Sequence, residues 1–404
     1  MNEAANLNTA DPFAGERLLE SAFHPRQAAL NFRQAWAGWN GYWIAPYYYD
    51  TEYEYFCVRN TCATYDICPM QKYMISGSNA EAMLNRMITR DLSKISVNRV
   101  TYVVWCTDEG RIIDDGTIFR LADDKFMLTC GSPNLAWLKK SAFGFSDVQL
   151  EDVSDSMAGL AFQGPVSCSV LKKMGLEGIE NARPFDIMHF PIGDATLMVS
   201  RTGFTGDLGY ELWIDTEHAL RLWDRLYFAG EDYGIQPFGE SALNMARMEA
   251  GFIMPDMEFN EALKTVHLNH DHTPFELNLG WLVDFDKPHF NGRNALLKEK
   301  EKGPEFVLTK LDIEGSKVAN HSWLYGDKRC TREIGYVTSG MWSPAAKANI
   351  ALAMVKTSAL NGEIWASIDY EKELRQYTKL ARCTVKDKPF WAPARARATP
   401  PEQY

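Results

Sequence analysis

Three β segments in residues 100–130 are separated by turns too short to hold a crossover helix, and this constrains the fold more than any other feature. The segments are VTYVVWC, IIDDGTIFRL and KFMLTC, joined at DEGR and ADDK. Strands joined so tightly pair antiparallel and form a meander. Helical spacing of apolar residues occurs in residues 26–39 and after a predicted helix cap at Ser78 or Asn79. Helices mixed with adjacent antiparallel strands predict an α+β protein.

The composition changes after residue 298, where a second part of the chain is expected to begin. The segment LKEKEKGPE is charged and contains Gly and Pro, which predicts a linker. Short β segments with few helix signals follow it and predict a small all-β domain. The tail APARARATPPEQY is rich in Pro and Ala, and we expect it to be loosely held.

Charge and composition exclude several classes of function. The formal net charge is −11 at pH 7, whereas nucleic acids and anionic membranes both require a basic face, so neither is an expected partner. No apolar run approaches the roughly 18 residues of a membrane span, and the N-terminal residues resemble no export signal, so we expect a cytoplasmic enzyme.

The eight cysteines form no Cys-x-x-Cys pair. His267, His270 and His272 lack a second carboxylate at fixed spacing, so no metal is expected.

A glutamate lies within a strongly apolar β segment, SRTGFTGDLGYELWI. Alternation places Tyr210, Leu212 and Ile214 on one face of the strand and Glu211 with Trp213 on the other. Glu211 therefore either faces solvent or receives a ligand. A pterin offers two adjacent N–H donors that one carboxylate can accept together, and the preceding glycines would let the backbone approach a flat ring closely.

Two adjacent acids follow two isoleucines in GRIIDDGTI. On a strand, Asp114 and Asp115 point to opposite faces, so only one of them can enter the core side. The pair is either an acid pair beside a turn or includes one carboxylate in a pocket, where it has a tuned pKa or orients a substrate amine.

Six motifs, in order, resemble the glycine-cleavage T-protein (aminomethyltransferase) superfamily. GRIIDDGTI is similar to its Gly-x-Ile-Asp-Asp strand, GLAFQGPVS to its Leu-Gln-Gly-Pro turn, and TGFTGDLGYE to its Thr-Gly-Tyr-Thr-Gly…Gly-Tyr-Glu signature. ARMEAGFIM, FNGRNAL and IGYVTSGMWSPAAKANIALAMV match the later Arg-Leu-Glu-Ala-Gly, Phe-x-Gly-Arg-x-Ala-Leu and Gly-x-Val-Thr-Ser-Gly…Ser-Pro segments. The resemblance covers most of the chain.

The resemblance implies a three-lobed ring around tetrahydrofolate. Two α+β lobes would occupy residues 1–298, with 60–150 nested inside, and a C-terminal β-barrel and tail would occupy 299–404. The site residues that it implies are Glu211 at the pterin edge, Asp115 beside the folate nitrogens where the carbon is transferred, Tyr102 packed on the folate, and Arg247 and Trp342 as binding or bracing residues.

Two departures from the family pattern bear on the donor. Cys68-Pro69 stands where the family has Ser-His, and FIMPDMEF stands in place of its Tyr-Gly-Gln-Glu. An aromatic segment, GYWIAPYYYDTEYEYF, precedes the first of these sites. Its rings either pack in the core or form a cage for an onium group, with Trp43, Tyr47, Tyr48 and Tyr49 as the candidates.

These features together predict a folate-dependent demethylase. It would transfer a methyl group from a small methylated onium compound, a betaine or a dimethylsulfonio acid, to tetrahydrofolate by direct displacement. The alternative is an aminomethyltransferase of the glycine cleavage system, which would use a lipoyl carrier protein and release ammonia with methylene-tetrahydrofolate. An aryl methyl-ether demethylase and a non-catalytic folate-binding protein are further alternatives.

Overall fold

The computed structural model describes residues 18–265 and 271–400. The α-helices are α1 (His24–Leu30), α2 (Thr51–Asn60), α3 (Ala80–Met87), α4 (Leu135–Ala142), α5 (Ser167–Lys173), α6 (Ala219–Gly230), α7 (Glu240–Ala250) and α8 (Arg293–Lys302). The strands are β1 (Ala37–Trp39), β2 (Tyr42–Ile44), β3 (Ala63–Asp66), β4 (Gln71–Ser76), β5 (Arg99–Cys106), β6 (Ile112–Ala122), β7 (Lys125–Cys130), β8 (Gln149–Asp152), β9 (Met157–Gln163), β10 (Ile187–Ile192), β11 (Ala195–Ser200), β12 (Gly209–Asp215), β13 (Gln236–Pro237), β14 (Phe306–Ile313), β15 (Trp323–Tyr325), β16 (Glu333–Ser343), β17 (Ala348–Lys356), β18 (Ile364–Lys372) and β19 (Arg375–Lys386).

The predicted meander is confirmed and belongs to a five-stranded sheet of order β5-β6-β7-β4-β8. All its neighbouring strands pair antiparallel. The strand, turn and helix predicted around Ser78 and Asn79 are confirmed as β4 and α3. Sequence periodicity was sufficient to predict the meander because β5, β6 and β7 follow one another along the chain and pair in that order.

A six-stranded sheet of order β10-β11-β12-β9-β3-β13 forms the second assembly. Its strands are antiparallel apart from the parallel pair β13–β3. Tyr210, Leu212 and Ile214 of β12 are buried in the core that this sheet shares with α5 and α6. The predicted alternation of β12 is therefore confirmed, and Glu211 and Trp213 face the opposite side.

The two sheets pack face to face, and the two carboxylates of interest lie on the facing sides. Phe119 of β6 meets Trp213 of β12 edge to face, with ring centroids 5.7 Å apart. Side chains alternate along a strand, so Asp115 lies on the same face as Phe119, and Glu211 on the same face as Trp213. The fold therefore directs both carboxylates into the space between the sheets.

The C-terminal strands form a closed barrel of order β14-β17-β16-β15-β18-β19. Leu352 and Met354 of β17 share a core with Val104 of β5, which is in register with Asp115. Asp115 thus lies between a core shared with the six-stranded sheet and one shared with the barrel. The predicted α+β class with a C-terminal barrel is confirmed, while the domain division at residue 298 stays a prediction.

Three local predictions are wrong. The helix expected over 26–39 ends at Leu30, and a β-hairpin follows it. Asn40 and Gly41 both have positive φ, of 47° and 82°, so Asn-Gly forms the two-residue turn that such hairpins favour. The expected linker lies largely within α8. The tail is held over its described residues 392–400, because Arg395 Nε donates to Asp207 Oδ1 at 2.7 Å.

No helix in residues 18–265 or 271–400 is both long enough and apolar enough to cross a membrane.

Candidate active site

Asp115 lies in the middle of β6 and is only partly accessible. The hydroxyl of Tyr102, on the neighbouring strand β5, donates to Asp115 Oδ2 at 2.5 Å. Burial raises the pKa of Asp115 to about 6, although the Tyr102 hydroxyl opposes the shift. The carboxylate is therefore mostly ionised at neutral pH, yet it can take up a proton within a physiological range.

Asp114 points to the opposite face of β6 and is fully buried. Its Oδ2 accepts from the Asn134 amide at 2.7 Å, and its Oδ1 accepts from the backbone N–H of Asp115 at 2.8 Å. Burial and the neighbouring charge of Asp115 hold the pKa of Asp114 well above its usual range. Because two adjacent carboxylates ionise less readily than one, Asp114 is the harder of the two to ionise.

Glu211 lies on β12 and receives hydrogen bonds from two hydroxyls. Thr202 Oγ1 donates to Glu211 Oε2 at 2.7 Å, and Ser200 Oγ lies 3.5 Å from the same oxygen. Burial raises the pKa of Glu211 to about 7, while these hydroxyls lower it. The solvated outer face is excluded, because Glu211 lies on the side that meets the five-stranded sheet.

The glycines before Glu211 serve packing within the protein. A Cβ on Gly203 would lie 2.0 Å from Gln163 Oε1, and one on Gly209 would lie 2.2 Å from the same atom. Gln163 is fully buried, and its Nε2 donates to the carbonyls of Thr202 (3.3 Å) and Tyr210 (3.1 Å). These two glycines make room for the Gln163 side chain, so the close approach of backbone to a ligand ring is not needed to explain them.

Tyr102 has an aromatic neighbour that the sequence gave no reason to select. The ring of Trp281 lies 6.3 Å from that of Tyr102, and Trp281 is 64% exposed. The Arg90 guanidinium lies over the Trp281 ring at 5.4 Å. The periodicity of the sequence could not connect residues 90, 102 and 281, which come together only through tertiary packing.

Arg247 is fully buried on α7 and has hydrogen-bond partners on all three guanidinium nitrogens. It donates to Asn244 Oδ1 (2.8 Å), to the Phe252 carbonyl (3.0 Å), to Glu258 Oε2 (2.6 Å) and to Ser339 Oγ of the barrel (3.1 Å). This arrangement joins α7, the following segment and the barrel, and of the two roles predicted for Arg247 it favours bracing.

Trp342 lies near the end of β16 and is 43% exposed. The side chain of the next residue, Ser343, donates to Glu249 Oε1 at 2.5 Å and so ties this end of the strand to α7. Contact of Trp342 with a folate stays a prediction.

The four aromatic candidates differ in burial. Tyr48 is buried, and the ring of Tyr49 is paired with Phe32 at 5.7 Å and with Tyr53 at 5.9 Å on the surface. Tyr47 is partly exposed, and Trp43 lies on the hairpin strand β2. Among residues 18–265 and 271–400, none of these four rings is paired with another of the four.

Both departures from the family pattern occupy positions that hold the fold together. The Cys68 backbone N–H donates to Asp66 Oδ1 at 2.8 Å. Ser21 Oγ (2.5 Å) and Gln27 Nε2 (2.8 Å) donate to the other oxygen of the same carboxylate. The second departure supplies Glu258, the ion-pair partner of Arg247. Neither observation requires a change of donor.

His272 pairs with Glu276, with 3.2 Å between Nδ1 and Oε2, and its Nε2 lies 3.3 Å from the Tyr336 hydroxyl. His267 and His270 lie outside the described residues.

Two family models match the chain. The GCVT N-terminal domain matches residues 27–287, and the glycine cleavage T-protein C-terminal barrel domain matches residues 307–391. The crystal structure of glycine cleavage system aminomethyltransferase T from Bartonella henselae superposes with a TM-score of 0.80 at 23% identity, over 93% of this chain and 98% of that one. This likeness supports the fold.

Curated relatives share more of the sequence. An aminomethyltransferase of Caldanaerobacter subterraneus subsp. tengcongensis is 33% identical over 86% of this chain and 90% of its own length. An aminomethyltransferase of a Geobacillus species is 31% identical over 88% and 94%. These relatives contradict the predicted transfer of a methyl group from an onium compound and favour the aminomethyltransferase alternative. The reason for expecting an onium cage at Trp43, Tyr47, Tyr48 and Tyr49 is lost with that prediction.

Proposed function

The chain belongs to the glycine cleavage T-protein family, and from that premise we propose that it transfers the carbon of a protein-bound aminomethyl group to tetrahydrofolate. It is a one-carbon transferase that uses tetrahydrofolate as the acceptor. The proposed products are methylene-tetrahydrofolate, ammonia and the free carrier protein.

The Glu211 carboxylate can accept hydrogen bonds from one edge of the tetrahydrofolate pterin. The pterin edge presents two N–H donors, and a carboxylate is the side chain that accepts both. Glu211 is partly accessible and faces the space between the sheets, while Thr202 and Ser200 orient its Oε2. We therefore assign pterin binding to Glu211, with Tyr102 as a further candidate contact. Tetrahydrofolate supplies the nucleophilic nitrogens that accept the carbon.

Asp115 has the chemistry needed beside the reacting carbon. Positive charge develops on an aminomethyl carbon as it leaves its donor, and an ionised carboxylate in a partly buried site stabilises such charge strongly. The Tyr102 hydroxyl fixes the orientation of the Asp115 carboxylate, and the backbone N–H of Asp115 donates to Asp114, whose pKa burial raises well above its usual range. Its pKa of about 6 also allows Asp115 to exchange a proton with the departing amine.

One observation carries the proposal: two partly accessible carboxylates, each oriented by a hydroxyl, lie on the facing sides of two packed sheets. One carboxylate can bind the acceptor while the other acts on the carbon. A fold with only one of them could bind folate but would have no group for the transfer.

The test is product identity. Purified protein is incubated with tetrahydrofolate and a lipoyl carrier protein loaded with an aminomethyl group, and the folates are separated by mass spectrometry while ammonia is assayed. We expect methylene-tetrahydrofolate and ammonia in equal amounts. Loaded carrier without the purified protein is the control, since the aminomethyl group can release formaldehyde and ammonia by hydrolysis and formaldehyde condenses with tetrahydrofolate unaided.

Absence of both products with the loaded carrier would overturn the proposal. So would formation of 5-methyl-tetrahydrofolate from a methylated small molecule in the absence of the carrier.

A further inference from the structure

The chain continues beyond the barrel as a strap, residues 387–400, that returns to the six-stranded sheet. Trp391 Nε1 donates to Asp207 Oδ2 at 3.1 Å, and its ring lies over the Arg59 guanidinium at 5.1 Å from the ring centroid. The family model of the barrel ends at residue 391. The last nine described residues of the strap therefore lie outside the part of the chain that this family model matches.

Arg395 makes the most specific contact of the strap. Its Nε donates to Asp207 Oδ1 at 2.7 Å and its Nη2 to Asp207 Oδ2 at 3.0 Å, while Nη2 also donates to the Arg59 carbonyl at 2.9 Å. The Asp207 side chain has no exposed surface. A two-bond pair between Arg and a buried carboxylate fixes direction as well as distance.

Asp207 belongs to the loop of residues 201–208, which joins β11 to β12. The strap also holds the other end of this loop, because the Arg201 guanidinium donates to the carbonyl of Ala398 at 2.6 Å. Between these two anchored ends lies Thr202, whose hydroxyl donates to Glu211. The position of that hydroxyl therefore depends on a loop whose two ends are both held by the strap.

We infer that Arg395 is a positioning residue for tetrahydrofolate binding, which acts through the 201–208 loop to hold the Thr202 hydroxyl against Glu211. The inference rests on the proposed role of Glu211. Arg395 contacts this loop through Asp207, so its loss should weaken folate binding while the transfer step at Asp115 continues at saturating folate.

The experiment compares Arg395→Ala with Arg397→Ala, which removes an exposed arginine two residues along the same strap. Tetrahydrofolate affinity is measured without any carbon donor, so the result does not depend on the identity of the donor. We expect Arg395→Ala to raise the Kd for tetrahydrofolate about threefold to fivefold, no more than the loss of the Thr202 hydroxyl itself, since the charge-assisted pair that holds the loop is lost, with kcat unchanged. Arg397→Ala should leave both at the wild-type value. Hydrogen exchange of the 201–208 amides should be faster in Arg395→Ala alone.

Arg395→Lys keeps the charge but not the two-bond geometry and should recover part of the affinity. It replaces Arg395→Ala if that variant does not fold. A lower melting temperature with an unchanged Kd would overturn the inference and make Arg395 purely structural.

A double-mutant cycle with Glu211→Gln separates this inference from the role on which it rests. If Arg395 acts through Glu211, Arg395→Ala should have little further effect on Kd in the Glu211→Gln background. Full additivity would overturn the inference while leaving Glu211 as a binding residue. An unchanged Kd in Glu211→Gln would remove the pterin assignment itself.

Discussion

The two carboxylates of the site are held in different ways. The Asp115 carboxylate accepts a hydrogen bond from the Tyr102 hydroxyl on the adjacent strand. The backbone N–H of Asp115 donates to Asp114, so the groups that hold Asp115 lie on paired strands. Glu211 receives its shorter hydroxyl contact from Thr202, which lies in a loop. The hydroxyl contact of Asp115 comes from a paired strand, whereas the shorter of the two hydroxyl contacts of Glu211 comes from a loop that the C-terminal strap contacts.

The difference matches the two jobs proposed for these residues. A group that acts on a reacting carbon must keep its geometry, because small displacements cost large factors in rate. A group that binds a ligand edge must admit and release that ligand, and a loop can allow this. Burial raises the pKa of both carboxylates, to about 6 for Asp115 and to about 7 for Glu211.

The largest effect should come from Asp115→Asn. The amide keeps the size of the side chain but removes the charge, so we expect kcat to fall about 100-fold or more. The Kd for tetrahydrofolate should change by less than about threefold. Steady-state kinetics together with direct folate titration checks both values. Equal losses in kcat and affinity would remove the distinction between the two carboxylates.

Glu211→Gln should produce the opposite pattern. Gln cannot accept two N–H groups as a carboxylate does, so we expect the Kd for tetrahydrofolate to rise about 10-fold to 100-fold. At saturating folate, kcat should stay within about fivefold of wild type. Isothermal titration gives the Kd, and Asp115→Asn serves as the matched control. A large fall in kcat at saturation would mean that Glu211 also takes part in the transfer.

The pH dependence should separate the two residues further. Glu211 binds the pterin when ionised, so the Kd should rise about tenfold for each pH unit below about 7. Rate at saturating folate should fall only below about pH 6, where Asp115 becomes protonated. The Kd of Glu211→Gln should lose its dependence near pH 7. Parallel profiles for Kd and kcat would contradict the separate assignments.

The smallest effect should come from Thr202→Val, which preserves the shape of the side chain and removes one hydrogen bond to Glu211. Because that bond favours the ionised carboxylate, its loss should raise the pKa of Glu211 and weaken folate binding about threefold to fivefold at pH 7. The deficit should shrink as the pH rises above 8. A deficit that stays constant with pH would mean that Thr202 contacts the folate directly.

Local sequence patterns were sufficient to predict the fold wherever strands that pair in the sheet also follow one another along the chain. The meander β5–β7 and the alternation of β12 followed from spacing alone, and the barrel followed from the family resemblance. The helix predicted over residues 26–39 was wrong because apolar spacing was given more weight than the Asn40-Gly41 turn. The linker prediction was wrong because the charged residues of α8 lie on an exposed helix.

For the site, sequence reasoning selected Asp115 and Glu211 but missed their support. Thr202, Asn134 and Trp281 matter through contacts that only the packed sheets create, and no spacing rule connects them to the carboxylates. The wrong donor came from reading aromatic residues that are adjacent in sequence as rings that converge in space. Tyr48 is instead buried while Tyr49 is exposed, and the two rings have different neighbours.

The bracing of α7 by the barrel has a consequence for how such proteins can diverge. Arg247 and Glu249 are both fully buried, and each depends on a serine hydroxyl of β16, Ser339 and Ser343 respectively. A chimaera that takes its barrel from a distant relative without both hydroxyls would leave buried charge short of partners, at a cost of about 1–3 kcal/mol for each missing hydrogen bond. A foreign barrel can therefore replace this one without that cost only if it supplies both hydroxyls.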